Sequence, residues 1–197
     1  MSPPDNEFPA GIGRTVLLGR SDDAAVGITQ IEAFSTGFRF TLAVRLRRER
    51  PELAFGGLTM LISPRVHPGT TIAMADRLLL GIEYADGRRA STLQDMRMHG
   101  PDGTTGGEQL VLVQQGGGGG QRSADQTYWV TPLPPDATVD VVLAWPGFGI
   151  PESRATLDAA AIRTAASRSQ ILWPPLPPAQ QPPPLEPRPS SGWFAEP

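Results

Sequence analysis

Between Gly37 and Arg47 large apolar residues recur at every second position: Phe38, Phe40, Leu42, Val44 and Leu46 fall on one side, Arg39, Thr41, Ala43, Arg45 and Arg47 on the other. Only a period of two puts all five apolar side chains on one face, so the segment predicts a strand with one face in the core and one in water. Similar segments recur along the chain. Thr15–Leu18 and Ala24–Ile31 read as strands around a Ser21-Asp22-Asp23 turn, and Leu58–Ile62 as a short strand stopped near Pro64. Leu78–Tyr84 runs into Asp86-Gly87, a favoured hairpin turn, with Arg88–Leu93 as its return. Leu110–Gln114, Gln126–Thr131 and Thr138–Trp145 complete the set. The polar stretch Asp95–Gly107 predicts a loop, and the run Gly116–Gly120 a long, mobile hairpin connection.

After Pro146-Gly147 the period changes. Leu157, Ala161, Ile162, Ala165 and Ala166 in an alanine-rich setting predict one amphipathic helix over about 156–172, capped by Ser153 or Thr156. Ten of the chain's 22 prolines lie from Pro174 onward, so 174–197 is expected to be a disordered proline-rich tail. Strands at short, regular spacing followed by one helix predict a mainly β domain, a β-sandwich of Ig-like or jelly-roll-like type, with six to nine strands. It would span 14–173, after an N-terminal arm over 1–13.

Composition narrows the chemistry. With no cysteine, thiol catalysis, zinc fingers and disulfide frameworks are excluded, and a reducing compartment is favoured. The net charge of −3 argues against a nucleic-acid surface. All 17 basic residues are arginine, which reflects the codon usage of a GC-rich bacterial genome. The polar start lacks the pattern of a signal peptide, and no apolar run approaches the ~20 residues of a membrane span. The expectation is a soluble cytoplasmic protein that binds neither membrane nor nucleic acid.

No motif commits to a reaction. The glycine run lacks the Lys-Ser/Thr of a phosphate-binding loop and is followed by no helix start. His67 and His99 sit in Pro/Gly-rich loops without metal-ligand spacing, and Asp22, Asp23 and Asp86 are explained by turn chemistry. Ser91, Ser123 and Ser153 stand in no triad-like context. No catalytic, metal or cofactor residue is assigned, and no cofactor is expected. Arg39, Arg45 and Arg47, with Arg48 and Arg50 following, form a basic ribbon interleaved with Glu49 and Glu52, which reads as a solvated face.

One place suggests a binding surface. Beside the glycine run stand Arg122, Tyr128 and Trp129. Neighbours on a strand point to opposite faces, so one of the two aromatics is expected to face outward, as a platform with Arg122 next to a mobile loop. The tail's Pro174–Pro178 and Pro182–Arg188 stretches favour polyproline II and could dock an aromatic groove, and Trp193-Phe194 suggests a short anchor.

The stretches Leu80–Arg89, Gly116–Pro132 and Val142–Ile150, with the alanine-rich segment ending in Ile171-Leu172-Trp173, resemble a family of uncharacterised bacterial proteins common in GC-rich genomes. The resemblance covers most of residues 8–173. It implies a compact domain and supplies no catalytic residues. The leading function is therefore a non-catalytic binding or scaffolding module with a protein partner. The alternatives are a carboxylate-based hydrolase or carbohydrate-active domain, and a structural subunit of a larger assembly.

Overall fold

The computed structural model describes residues 2–53, 57–63, 72–93 and 109–174. At its centre is the alternating segment, strand β5 (Gly37–Leu46). One neighbour is β4 (Ala24–Phe34), the other β9 (Ser123–Thr131), both antiparallel. Phe38, Phe40, Leu42 and Val44 are at most 1% exposed, so the inward face is the one that the period of two selects. In β4 the buried positions run Ala24, Val26, Ile28 and then Ile31, Ala33. That slip of one residue coincides with a bulge between Ile28 and Gln30, and it keeps both halves of the strand facing the core.

On its far side β9 pairs with β8 (Val111–Gly119), and β4 pairs with β2 (Ala10–Ile12) and β3 (Val16–Arg20), which completes a six-stranded antiparallel sheet. A second sheet has the order β11 (Ile150–Asp158), β10 (Thr138–Trp145), β6 (Leu79–Tyr84), β7 (Arg89–Ser91). The β6–β7 turn is Asp86-Gly87, where Gly87 takes φ +88°, a conformation that glycine adopts without strain. A two-stranded ribbon joins β1 (Glu7–Phe8) to β12 (Gln170–Ile171). The arm over 1–13 thus contributes two short strands.

Both larger sheets feed one apolar core, with Phe40, Leu42 and Tyr128 from the first and Leu80, Ile82, Val141 and Leu143 from the second. Gly19 on β3 allows close approach, since a Cβ there would lie 3.1 Å from Leu143 Cδ2 and against Ile150. Trp145 stacks on Phe148 at 3.8 Å, and its indole N–H donates to the Asp76 carbonyl at 2.8 Å. The structure is mainly β, with three antiparallel sheets and two helices among the described residues.

Three segments differ from the sequence expectation. Gly57–Ile62 is a helix, α1, not a strand. Leu58 and Ile62, its buried residues, are four apart and share one helical face, whereas a short apolar run carries no period long enough to decide between the two. The helix expected over 156–172 is confined to α2, Ala159–Ala166. The cap is Asp158, whose carboxylate accepts from the Ala161 N–H at 3.1 Å, and not Ser153 or Thr156. Both of those lie in β11, which folds back on β10 through the turn Pro146–Phe148 and Gly149 at φ +68°. The third is the glycine run, described below. The Asp95–Gly107 loop and the tail from 175 on lie outside the described residues. Among the described residues no helix is long and apolar enough to cross a membrane.

Phe40→Ala is expected to lower the unfolding free energy by about 3–5 kcal/mol in urea denaturation. A loss below about 1 kcal/mol would remove Phe40 from the core.

Candidate functional site

The glycine run is strand, not loop. Gly116, Gly117, Gly118 and Gly119 pair with Thr127, Gln126, Asp125 and Ala124 of β9. Two of these glycines are required by close packing: a Cβ on Gly117 would run into the Asp125 carbonyl and the Gln126 amide, and one on Gly119 would lie 2.7 Å from the Ser123 carbonyl oxygen. Gly116 and Gly118 face the other way and meet nothing within 4 Å. The expected mobile connection shrinks to a tight turn, with the Gly120 N–H donating to the Ser123 carbonyl at 2.7 Å. The sequence argument rested on the entropy of glycine and had no access to the ladder that offsets it.

The turn is tied to the end of β5. The Leu46 N–H donates to the Arg122 carbonyl at 2.7 Å, and the Arg122 guanidinium donates to the Arg47 carbonyl at 3.1 Å. Arg122 is exposed, as the platform reading requires. The aromatics are not. Tyr128 faces the core, stacks on Phe40 at 5.5 Å and is fully buried. Trp129 is on the opposite face, yet is 1% exposed because the β4–β5 hairpin closes over it. It meets Phe34 edge-on at 5.4 Å, and a Cβ on Gly37 would be 2.7 Å from its ring. Its indole N–H has no acceptor among the described residues. Parity along the strand is as expected, but a non-local hairpin covers the outer aromatic. Of the three residues, only Arg122 remains at the surface.

The basic ribbon is partly neutralised. Arg39 pairs with Glu32 at 2.6 Å, Arg45 with Asp125 at 2.7 Å and Arg50 with Asp23 at 3.2 Å. Arg47, Arg48 and Arg122 are exposed and form no ion pair among the described residues; Glu49 lies beside the Gln121 amide.

A second polar cluster, not anticipated from sequence, crosses the four-stranded sheet. Arg154 on β11 donates to Glu83 on β6 at 2.7 Å and to Asp140 on β10 at 2.8 Å. Arg89 also donates to Glu83, and the Thr156 hydroxyl to Asp140 at 2.8 Å. Glu83 and Asp140 each stand between two buried apolar residues of their strands, a signal open to sequence reading. Arg154 and Thr156 were hidden because β11 was not recognised. Hydrogen bonds from Arg89 and then Arg154 hold the Glu83 carboxyl below its ordinary range, and those from Arg154 and then Thr156 do the same to Asp140. Carboxylates held as anions are unsuited to the general-acid step of a glycosidase.

A cavity of about 390 Å³ lies between the N-terminal residues and Phe34, Arg39 and Gln115. Of its charged residues, Arg39 holds Glu32 and Glu7 accepts from the Ser35 N–H and hydroxyl, each at 2.6 Å, while Asp5 is exposed to solvent. Among the described residues no three His, Cys, Asp or Glu side chains converge as metal ligands, and His67 and His99 lie outside those residues. No protein-family model, curated protein or solved structure matches the chain.

Because Glu83 and Asp140 titrate lower folded than unfolded, their contribution to stability is present above the ordinary carboxylate range and is lost as pH falls through their folded values. Asp140→Asn should therefore lose less stability than wild type between about pH 5 and pH 3, read as urea midpoint against pH. Parallel curves would assign acid sensitivity elsewhere. Gly118→Ala should leave the melting temperature unchanged or raise stability by about 0.5–1 kcal/mol, whereas Gly119→Ala should lower it.

Proposed function

We propose that the chain is a non-catalytic module that binds or scaffolds a protein partner in the cytoplasm. Its framework is a β-sandwich, in which the six-stranded and four-stranded sheets face each other across their common core. The observation that carries the reading is the outer edge of β8. Gly116–Gly119 are exposed, and away from β9 they make no hydrogen bond among the described residues, so a row of backbone donors and acceptors stands open beside Arg122. Backbone edges recognise polypeptide, and an exposed arginine adds orientation.

A second reading, a structural subunit, draws on Phe8, Ile171 and Trp173. These are 60%, 66% and 58% exposed on and next to the β1–β12 ribbon. A monomer by light scattering at working concentration would remove it.

The binding reading is tested with a photo-crosslinking residue in place of Gln121. A partner protein should be captured through the hairpin, and Arg122→Glu should weaken its binding about tenfold, equivalent to about 1.4 kcal/mol, with an unchanged circular dichroism spectrum. Equal capture by the Arg122→Glu variant would move the surface elsewhere.

A further inference from the structure

We infer that β8 accepts an extended peptide as an added strand, and that the peptide carries aromatic or other bulky side chains at alternate positions and acidic residues at the end that meets the hairpin turn. This rests on the binding-module reading and deepens it.

The other edges of the two larger sheets are shielded in the ways that sheets usually guard against pairing. β2 has three residues and is packed by α2. β3 is interrupted by a register shift between Leu17 and Gly19. β7 has three residues and begins with Arg89. β11 carries Pro151, Glu152 and Arg154. β8 runs nine residues without charge or proline; its first residues lie near β7 and α1, and its exposed part is Gln115–Gly119. Its one irregularity falls between Gln114 and Gly116, and the four glycines beyond lie in regular register.

Glycine at 116 and 118 is explained by neither packing nor conformation. No side chain occupies the space there, and among the described residues the glycines with positive φ are Gly87 and Gly149. An interior strand glycine weakens a sheet unless something approaches its backbone closely. A large side chain on a neighbouring strand does so, by lying over the bare backbone and shielding it. The floor beside Gly116 and Gly118 is Thr127 and the Arg45–Asp125 pair. A second copy fits poorly. Edge against edge it would set glycine opposite glycine, and a nine-residue contact falls well short of the ~1,200 Å² that stable interfaces bury. Charge fixes the remaining feature: Asp125 and Asp23 near the turn are paired with Arg45 and Arg50, and Arg47, Arg48 and Arg122 outnumber Glu49 and Asp22, so the complementary end of the peptide is acidic.

The probe is a capped ten-residue peptide of alternating tyrosine and threonine ending in two aspartates. Controls have alanine for tyrosine, or two lysines for the aspartates. On full-length wild type, hydrogen exchange by NMR should slow at least tenfold at those Gly116–Gly119 amides that point away from β9. Fluorescence titration should give the tyrosine peptide at least tenfold tighter binding than its alanine control. The Gly116→Val/Gly118→Val variant should erase that preference, and Arg122→Glu should reverse the preference for aspartate over lysine ends. No protection of these amides at millimolar peptide, equal affinity for all three peptides, or peptide-independent protection through self-association would each overturn the inference. Should the crosslinked partner bind while these amides stay unprotected in its complex, the strand-addition inference falls and the module reading survives.

Discussion

The structure depends on the burial of one face of β5. Phe38, Phe40, Leu42 and Val44 leave water together, and each large apolar side chain so buried contributes about 1.5–3 kcal/mol before entropy is counted. Because β5 is bonded along both edges, its register dictates that of β4 and β9. Phe40 opposite Tyr128 sets β9, and β9 in turn sets β8. The hairpin turn is then fastened to the end of β5 through the Leu46–Arg122 and Arg122–Arg47 hydrogen bonds. The position of the open edge and of its arginine follows from a set of aromatic and aliphatic contacts in the core.

What could be read from the chain was what is local. Five large apolar residues at every second position admit one periodicity, and Asp86-Gly87 admits few turns, so β5 and the β6–β7 hairpin were legible. α1 was not, since six residues span less than two helical turns and its apolar content suits either form. β11 was not, because Ile150–Asp158 is apolar and buried only near its ends and its middle owes its conformation to β10. In each case a partner distant in sequence decided the outcome, against which local propensity is a weak guide.

The candidate surface divides along the same line. Exposure of Arg122 follows from its place in a turn. Burial of Trp129 does not follow from the alternation that puts it on the outer face, because Phe34 and Gly37 arrive from another hairpin to cover it. The glycine run misled for a related reason. Flexibility is a property of glycine without partners, and β9 supplies partners all along Gly116–Gly119 while tolerating no side chain at Gly117 or Gly119. The spare positions, Gly116 and Gly118, became visible only once the strand had two defined faces.

Arginine pairing on the sheets bears on specificity more than on stability. Arg39, Arg45, Arg89 and Arg154 each have a carboxylate on an adjacent strand, and Arg50 and Arg88 have one nearby. Exposed pairs of this kind are screened by solvent and contribute too little to hold the fold. They do cancel charge over the sheet faces, so that a charged partner finds little to orient it there. Among the described residues the cancellation fails around Arg47, Arg48 and Arg122, beside the exposed glycines of β8. Coulombic attraction reaches about 8–10 Å at ordinary ionic strength, whereas a backbone hydrogen bond acts only in contact. If a peptide adds to β8 as proposed, it is oriented first by the arginines and held afterwards by the strand edge, and selectivity and affinity then belong to two adjacent parts of one hairpin.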